Sequence, residues 1–385
     1  MKIARIANVT TGYKKNLKKI LIIENSVYTT GGLNAILSSV EALKNEYHFH
    51  FIVPTRGLTS VRIEGAGFSV TQLPFLEISK NLNVFLYPFR LYQNARSILK
   101  YLKEHQISIL HVNDVFNMVG CVVKLLRPNL RLVYHVRLLK TSYIALLYPF
   151  YSKAVLRYAD VVICVSEAVK KDLPPSQKTV VVYDVPKVSN RLPPWDGLKN
   201  PSAIKILYVG NFVRGKGQNL GLEAFCIFNK KSPTATITFA GGVPDTASLH
   251  FKNELVQRVE AMKLQKNVFF EEKIIDVEAI MKCHDVVLNL SESESFSFVC
   301  LEAMLYGIPL IVADSGGPAE ITKGGQMACL VPNKKASAAA TALYTILSDP
   351  GKARRQAKEA LEWVQHHFNA ENTYRQLKQI YVGGQ

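Results

Sequence analysis

The chain has 385 residues, of which 48% are hydrophobic and 20% are charged. This length and composition indicate a folded protein of two domains and exclude a disordered chain. The formal net charge of +17 is unevenly placed, because residues 1–191 hold 26 Lys/Arg against 11 Asp/Glu whereas residues 192–385 hold 21 against 19. Such asymmetry predicts an anionic partner for the first half, although a charge that only keeps the protein in solution has the same pattern.

The cysteines and the apolar stretches indicate the compartment. The six cysteines lie far apart, with neither a C-x-x-C pair nor the spacing of metal ligands, so buried reduced thiols are expected. Residues 1–19 contain six Lys/Arg and no apolar core segment, which argues against a signal peptide. The longest apolar stretches, such as Tyr143–Tyr151, have about half the length that spans a bilayer. These features predict a cytoplasmic protein.

The first half of the chain alternates between strand and helix patterns. Residues 1–17 read as a basic tail or edge element, and Ile20–Ile23 reads as a buried strand. Thr30-Gly31-Gly32 then predicts a loop before a helical pattern at Leu33–Leu43. Further short apolar runs lie at 50–53, 107–112, 131–136 and 161–165. Short apolar strands that alternate with helices are typical of a parallel sheet covered on both faces.

A break near residues 185–202 separates this half from a second alternating half. The break is marked by Pro186, Pro193, Pro194, Gly197 and Pro201, which predict a linker. Strands are then predicted at 204–209, 235–240, 268–270, 286–290 and 310–313. Helices are predicted at 218–230, 249–263, 276–282, 298–306, 335–348 and 352–367. The pattern predicts an α/β fold of two Rossmann-like doubly wound domains, 1–190 and 191–369, that face each other across a cleft, with a helix in 370–385 that crosses back to the first domain.

The stretch Ser291–Met304, which reads SESESFSFVCLEAM, carries the most chemical information. It follows a buried strand and enters a helix, and Ser295 or Ser297 is the expected N-cap. The next amides would then be free to bind an anion such as a diphosphate. Glu294 precedes the helix and Glu302 lies inside it, so the two carboxylates can bind two different sugar rings. By pattern alone, the run of serines and glutamates is equally typical of a solvated loop.

Together with the following residues, GIPLIVADSGGPAE at 307–320, this stretch resembles the hallmark of the family 4 retaining glycosyltransferases, which have the GT-B fold. The shared pattern is two glutamates eight positions apart, Glu-Ala-Met, Gly-x-Pro before a strand, and Gly-Gly-x-x-Glu. The segment Tyr208–Gly217 is similar to the family's other motif, in which a Lys-Gly leads into a helix. Thr30-Gly31-Gly32 matches the glycine loop of the first domain, and Val165-Ser166-Glu167 also fits.

The resemblance implies a donor site for a nucleotide diphosphate sugar, linked to UDP or GDP. It implies that Lys216 pairs with the diphosphate, Glu294 with hydroxyls of the donor sugar and Glu302 with hydroxyls of the ribose. The family's arginine falls on Asn211, and Arg214 is the candidate to supply its charge. The predicted donor-binding residues are Gly31, Gly32, Arg214, Lys216, Ser295, Phe296, Ser297, Phe298, Val299 and Glu302.

The predicted catalytic residues are His135, Glu294 and Asp114. A histidine at the place of His135 lies close to the reacting sugar in relatives, where a neutral imidazole can hydrogen-bond the sugar or steady positive charge. Asp114 is the better-placed carboxylate near an acceptor hydroxyl, and His111 is either a site residue or a structural histidine. No nucleophile stands out, which suits attack by the acceptor on the face that the diphosphate leaves, with retention of configuration.

No cofactor or metal is expected beyond the nucleotide sugar. The chain has no Asp-x-Asp motif, and Glu292-x-Glu294 could only mimic one. Because basic residues and helix amides can neutralise a diphosphate, the resemblance favours a metal-independent transferase.

Two segments combine aromatic and basic residues, Leu82–Lys103 and Leu138–Arg157. Each is typical of an interfacial helix on an anionic membrane, and equally of a helix that packs on the core with a basic outer side. The charge of the first half favours peripheral contact with the inner membrane face, and an anionic lipid-linked or surface-polysaccharide acceptor.

Two alternatives remain at this point. The same fold could epimerise a nucleotide sugar, although the glutamate pattern favours transfer. A basic protein that binds nucleic acid or membrane without catalysis is the other alternative. Since the sequence contains none of the usual recognition modules, no nucleic-acid partner is predicted.

Overall fold

The computed structural model describes residues 17–27, 30–75, 86–186, 195, 197–198, 200, 202–272, 274 and 276–383. Parts of three predicted segments lie outside the described residues: 1–16 of the basic tail, 82–85 of the first aromatic and basic segment, and Pro193, Pro194 and Pro201 of the linker. Within the described ranges, no helix has both the length and the apolar character that a membrane span requires.

The first sheet is parallel throughout and has, in the described residues, the strand order β3-β2-β1-β4-β5-β6-β7. Its strands are β1 (Lys18–Glu24), β2 (Tyr47–Val53), β3 (Ser69–Gln72), β4 (Ile109–Asn113), β5 (Arg131–Val136), β6 (Val161–Cys164) and β7 (Thr179–Val181). The strand order reverses between β1 and β4, where Glu24 pairs with Asn113 in register. In open α/β sheets, ligands bind beyond the carboxyl ends of the strands at such a switch point.

Helices cover both faces of this sheet. They are α1 (Gly31–Leu43), α2 (Leu58–Gly65), α3 (Tyr87–Glu104), α4 (Val119–Leu126), α5 (Tyr148–Tyr158) and α6 (Glu167–Asp172). Residues Ile20–Ile23 of β1 are fully buried because helices pack on both sides of the strand. Gly31 and Gly32, predicted in a loop, are instead the first residues of α1, and Thr30 caps this helix by accepting from the Leu33 amide at 3.1 Å.

The second sheet repeats the plan, with the order β10-β9-β8-β11-β12-β13 across the described strands. These are β8 (Lys205–Val209), β9 (Thr236–Ala240), β10 (Val268–Glu271), β11 (Val286–Asn289), β12 (Leu310–Ala313) and β13 (Cys329–Val331). The helices are α7 (Gln218–Asn229), α8 (Thr246–Ala261), α9 (Val277–Lys282), α10 (Phe298–Leu305), α11 (Gly317–Ile321), α12 (Ala336–Ser348) and α13 (Pro350–His367). The switch point of this sheet lies between β8 and β11.

The last helix, α14 (Ala370–Val382), packs on the first sheet although it follows the second in sequence. Its side chains Leu377, Ile380 and Tyr381 are buried in the same apolar cluster as strands β1 and β2. The Tyr381 hydroxyl lies 2.8 Å from Nδ1 of His111 on β4, and Arg131 donates to the Ile380 carbonyl at 2.7 Å.

The two domains also contact each other directly. The Glu320 carboxylate of α11 accepts hydrogen bonds from the Glu167 and Ala168 amides, both at 2.9 Å, and from the Tyr183 hydroxyl at 2.8 Å. Nearby, the Ser166 hydroxyl donates to the Ser295 carbonyl at 2.6 Å. The loop before α10 is thereby attached to the first domain at the edge of the cleft.

The predicted class, an α/β fold with two doubly wound parallel sheets, is confirmed. The long central strands lie within two or three residues of their predicted bounds, which is the usual uncertainty of such limits. Elements that the pattern missed are short: strands β3, β7 and β13 and helices α2, α4, α6 and α11.

Candidate active site

Lys216 and Glu294 meet at the switch point of the second sheet. The Lys216 Nζ lies 2.7 Å from the Glu294 Oε2, and the two residues come from the loops after β8 and β11. The first loop turns sharply into α7 through Gly217, which has a φ of +79°. A Cβ at this position would lie 2.1 Å from the Leu290 carbonyl oxygen, so only glycine fits between the two loops.

The backbone on either side of Glu294 is fixed by the loop after β12. The Glu294 amide donates to the Ser315 carbonyl at 3.0 Å, and the Gly317 amide donates to the Glu294 carbonyl at 2.7 Å. Gly316 supports this pairing with a φ of +116°, which glycine adopts without strain. The loops after β8, β11 and β12 thus meet at Glu294.

The N-terminus of α10 faces the same place. Of the two predicted caps, Ser297 is the one observed: it accepts from the Cys300 amide at 3.3 Å and from Asn289 Nδ2 at 3.0 Å. Among the described residues, the Phe298 and Val299 amides have no hydrogen-bond partner. Two free amides at the positive end of a helix dipole can bind an anion.

Glu302, one turn further along α10, is a carboxyl group that the described residues leave without a partner. Burial raises its pKa to about 7. It lines a cavity of about 460 Å³ between the domains, which also has walls from Asn34 and Leu37 of α1 and from Phe298. A half-buried carboxyl in a cavity is suited to accept hydrogen bonds from ligand hydroxyls.

One predicted donor contact, Arg214, has another partner. Arg214 makes an exposed ion pair with both carboxylate oxygens of Glu254 on α8, at 2.6 Å, and lies over the Phe251 ring. The structure therefore does not bring Arg214 to the Lys216–Glu294 pair. Asn211, where the family has arginine, accepts from the Gly242 amide at 3.1 Å.

Glu292, the other glutamate of the loop, is also neutralised by a lysine. Its Oε2 lies 2.7 Å from the Lys334 Nζ, and Asn333 donates to its carbonyl at 2.7 Å. Each of the two glutamates of the Glu292-x-Glu294 pattern is thus paired with a lysine of its own. Across the described residues, no group of three or more metal-ligating side chains comes together.

In the first sheet, a buried polar cluster occupies the carboxyl ends of β1, β4 and β5. Asn113 hydrogen-bonds Glu24 with its Nδ2 and accepts from Arg137 Nε at 2.5 Å. Arg137 also pairs with Asp184, at 2.5 Å, and lies against Gly32, where a Cβ would be 2.9 Å from the Arg137 Cδ. The cluster therefore fixes a guanidinium directly below the first turn of α1.

His135 lies within this cluster rather than on the cleft surface, since it is only 2% exposed. Its Nδ1 accepts from Arg137 Nη2 at 3.2 Å, so its proton resides on Nε2, which has no partner among the described residues. Burial, Arg137 and His111 lower its pKa well below the usual range, which favours the neutral ring. The ring stacks on His111, with centroids 5.5 Å apart.

Asp114 follows β4 at the same switch point and has a φ of +126°, an uncommon conformation for a non-glycine residue. Its carboxylate accepts from the Val115 amide at 2.6 Å and from the Tyr143 hydroxyl. Burial raises its pKa to about 6 in spite of these bonds and of the nearby Arg137. A carboxyl group that titrates near neutral pH is suited to proton transfer.

The structure thus forms two groups of the predicted residues. Five predicted residues surround the switch point of the second sheet: Lys216, Glu294, Ser297, Phe298 and Glu302. Gly31 faces Phe298 across the cleft, and a Cβ added to Gly31 would lie 4.0 Å from the Phe298 ring. The second group, Asp114 and His135, lies at the end of the first sheet together with residues that the sequence did not single out: Glu24, Asn113, Arg137 and Asp184. Arg137 could have been found, because it follows β5 on the same side as His135.

The sequence and the fold of this chain are similar to those of known proteins. Residues 32–183 match the family Glycosyltransferase Family 4, and residues 194–363 match Glycosyl transferases group 1. Anabaena Alr3699/HepE, solved in complex with UDP and glucose, superposes with a TM-score of 0.79 at 18% identity, over 96% of this chain and 100% of that chain. Two facing doubly wound domains of this kind define the class of proteins with the GT-B fold. Within this class, the chain belongs to the family 4 glycosyltransferases.

Two curated relatives match part of the chain. The D-inositol 3-phosphate glycosyltransferase of Rhodococcus jostii (strain RHA1) is 27% identical over 188 residues, 47% of this chain and 41% of that protein. The N-acetyl-alpha-D-glucosaminyl L-malate synthase of Bacillus anthracis is 27% identical over 176 residues, 46% of this chain and 44% of that protein. The match to this chain thus spans less than half the length of these relatives.

Proposed function

We propose that the protein is a retaining glycosyltransferase that moves a sugar from a UDP-sugar to an acceptor at the cytoplasmic face of a membrane. One observation carries the proposal: a lysine, a glutamate and the free amides of a helix converge at the switch point of the second sheet. Cation and amides together suit a diphosphate, and the carboxylate suits sugar hydroxyls. The family membership supports the same chemistry.

In the proposed donor complex, the diphosphate takes the Lys216 ammonium from Glu294 and binds the Phe298 and Val299 amides. Glu294 then accepts hydrogen bonds from the donor sugar, and Glu302 from the ribose. The raised pKa of Glu302 supports this role, because ribose hydroxyls would supply the hydrogen bonds that its carboxyl lacks within the described residues. The uridine base is supported by the Anabaena protein, which was solved with UDP-glucose.

In the proposed transfer step, Asp114 lies beside the acceptor hydroxyl and takes up its proton as the bond to the anomeric carbon forms. The departing UDP carries away the negative charge, which Lys216 and the α10 amides stabilise. Attack on the face that UDP leaves gives retention of configuration. The burial of His135 favours an indirect role, in which its Nδ1 orients Arg137 beneath the Gly31-Gly32 turn.

The acceptor side is proposed to lie at an anionic membrane, with a lipid-linked or surface-polysaccharide acceptor. The charge of the first 191 residues supports this, as do exposed apolar side chains at the start of α3 and α5, among them Phe89 and Phe150. Since the Lys216 ammonium and the amides at the start of α10 can both bind the diphosphate, we propose that no metal ion is needed to neutralise it.

The test is a thermal-shift panel of the purified protein with UDP, GDP, ADP and CMP, followed by the sugar conjugates of the nucleotide that binds. A ligand at about 100 times its Kd should add roughly 2.7 kcal/mol of stability. We expect stabilisation by UDP and loss of that shift in Glu302→Ala. A folded protein that none of the four nucleotides stabilises would contradict the proposed donor site.

A further inference from the structure

A second cavity, of about 220 Å³, lies at the switch point of the first sheet. Asn25, directly after β1, and Asn117, after β4, form one wall and are joined by a hydrogen bond of 2.6 Å. The opposite walls are aromatic and include Tyr87, Phe116 and Tyr143. The cavity therefore occupies, in the first domain, the place that the donor site occupies in the second.

The chemistry of its walls is polar but uncharged. Neither a Lys, Arg or His nor an Asp or Glu is among the described residues that line it. Asn25 is only 8% exposed, and its Oδ1 is used by Asn117, so its orientation is fixed. Its Nδ2 is buried without a hydrogen-bond partner in the described structure. A buried donor without a partner is unfavourable, and an oxygen atom of a ligand that reaches it would supply the missing hydrogen bond.

Tyr143 connects this cavity to the reacting group. Its ring lines the cavity, and its hydroxyl donates to Asp114, the carboxylate proposed to receive the acceptor proton. A molecule that fills the cavity therefore contacts Tyr143, and this one side chain separates it from Asp114. Aromatic rings can pack against the C–H faces of a sugar ring, and amide donors between them can hydrogen-bond its hydroxyls.

The mouth of the cavity carries apolar side chains that are open to solvent. Ile144 and Leu138 line the cavity and are also partly exposed to solvent. Leu146 and Phe150, in the same segment of the chain, are 87% and 64% exposed. The Phe150 ring centroid lies 6.2 Å from that of Tyr151, which lines the cavity. The apolar rim formed by Ile144, Leu146 and Phe150 therefore borders the cavity.

We propose that this cavity binds the acceptor as an uncharged sugar ring, and that the ring is joined to an apolar chain that lies along the apolar rim. The inference rests on the proposed transferase and specifies its acceptor class. An acceptor with phosphate or carboxylate on the ring would bring a charge against walls whose described residues include no cation, at a large cost in desolvation. The sugar is the head group of a membrane lipid: its ring accounts for the cavity and its apolar chain for the rim.

The experiment is saturation-transfer difference NMR of the full chain with octyl and methyl glycosides of glucose, galactose and mannose, each below its micelle concentration. Glucose 6-phosphate is the charged probe. We expect at least one octyl glycoside to bind through its ring protons, about tenfold or more tightly than the methyl glycoside, the effect of removing some two methylenes from water. Equal or tighter binding of glucose 6-phosphate would overturn the proposal.

Two kinds of variant test separately the binding of the sugar ring and the binding of the apolar chain. Asn25→Leu, which removes the amide donor at similar size, should weaken every glycoside by about 3- to 10-fold. Leu146→Ser with Phe150→Ser should reduce the octyl glycoside to the affinity of the methyl one without affecting the latter, and Leu249→Ser, an exposed leucine of α8, is the matched control. If the rim variant binds octyl glycosides as well as the control does, the apolar chain is not bound there.

The UDP-induced thermal shift is measured on every variant, which shows that each is folded. It also separates the two proposals: a protein that binds glycosides but not UDP refutes the donor assignment alone. A protein that binds UDP but no glycoside refutes this inference alone.

Discussion

Lys216 and Glu294 form an ion pair of 2.7 Å between the loops that follow two neighbouring strands, β8 and β11. The Lys216 side chain is 40% exposed and that of Glu294 is 15% exposed. A phosphate that approaches the lysine therefore competes with an existing carboxylate, and its arrival frees that carboxylate for another partner. The pair couples the recognition of a phosphate to the recognition of a hydroxyl.

The first prediction concerns this lysine. Lys216→Ala should weaken UDP binding about 10- to 100-fold, because a hydrogen bond to a charged group contributes about 1.5–3 kcal/mol. Isothermal titration calorimetry measures the change. Lys334→Ala is the matched control, since Lys334 pairs with Glu292 of the same loop, also at 2.7 Å. Equal losses in the two variants would mean that general positive charge, and not Lys216, binds the nucleotide.

The second prediction is a pH dependence of stability from Glu302. Its pKa is raised from 4.5 to about 7 by burial, so its contribution to stability is fully present below about pH 4.5 and is lost as the pH rises through 7. Glu302→Gln cannot ionise and should therefore raise the Tm relative to wild type at pH 8, by on the order of a few degrees. At pH 4.5 this gain should disappear. A gain that is the same at both pH values would show that ionisation of Glu302 is not its source.

The third prediction concerns Asp114. If its carboxylate receives the acceptor proton, kcat/KM for the acceptor should fall below about pH 6, where the group becomes protonated. Asp114→Asn should reduce kcat by about 100-fold or more and remove this limb, while UDP affinity stays unchanged. Tyr143→Phe should shift the limb to higher pH, because the Tyr143 hydrogen bond lowers the pKa of Asp114. A limb that persists in Asp114→Asn would assign the proton to another group.

The fourth prediction is a negative one for Arg214. Because its guanidinium pairs with Glu254 on the surface of α8, Arg214→Ala should change the UDP Kd by less than about twofold and the stability by under about 1 kcal/mol. Glu254→Ala should behave in the same way. A tenfold loss of affinity confined to Arg214→Ala would show that the side chain leaves Glu254 and reaches the donor.

The fifth prediction concerns the buried pair of Arg137 and Asp184, whose side chains are 7% and 11% exposed. Arg137→Ala removes one partner and leaves the other carboxyl buried, so the free energy of unfolding should fall by about 3–5 kcal/mol in a urea titration. The double variant Arg137→Met/Asp184→Leu should lose much less. A single variant as stable as wild type would show that the pair contributes little to the free energy of unfolding.

The central strands could be predicted from sequence because they are buried on both faces and therefore read as continuous apolar runs, as in Ile20–Ile23. The missed strands are at or near sheet edges and have three or four residues each. Ser69–Gln72, for example, contains a single apolar side chain. Its pairing with β2, rather than its own hydrophobic pattern, makes it a strand.

The donor-side residues were predictable because they lie in two short segments with strong local motifs. In the buried polar cluster at the end of the first sheet, only Asp114 and His135 were predicted, because most members of that region are brought together only by the fold. Arg137 and Asp184 are 47 residues apart in the chain, and His111 and Tyr381 are 270 apart. Their roles, like those of the donor residues, remain predictions that the experiments above address.

The position of α14 has a consequence for biosynthesis. Tyr381 is 1% exposed and fills a space on the first sheet beside Tyr47. This space stays open until about 200 further residues have been made after β7, which takes on the order of 10–40 s at the usual rates of translation. Of these two domains, the one synthesised first is therefore the later to complete its core, and until then its apolar groove is exposed to chaperones.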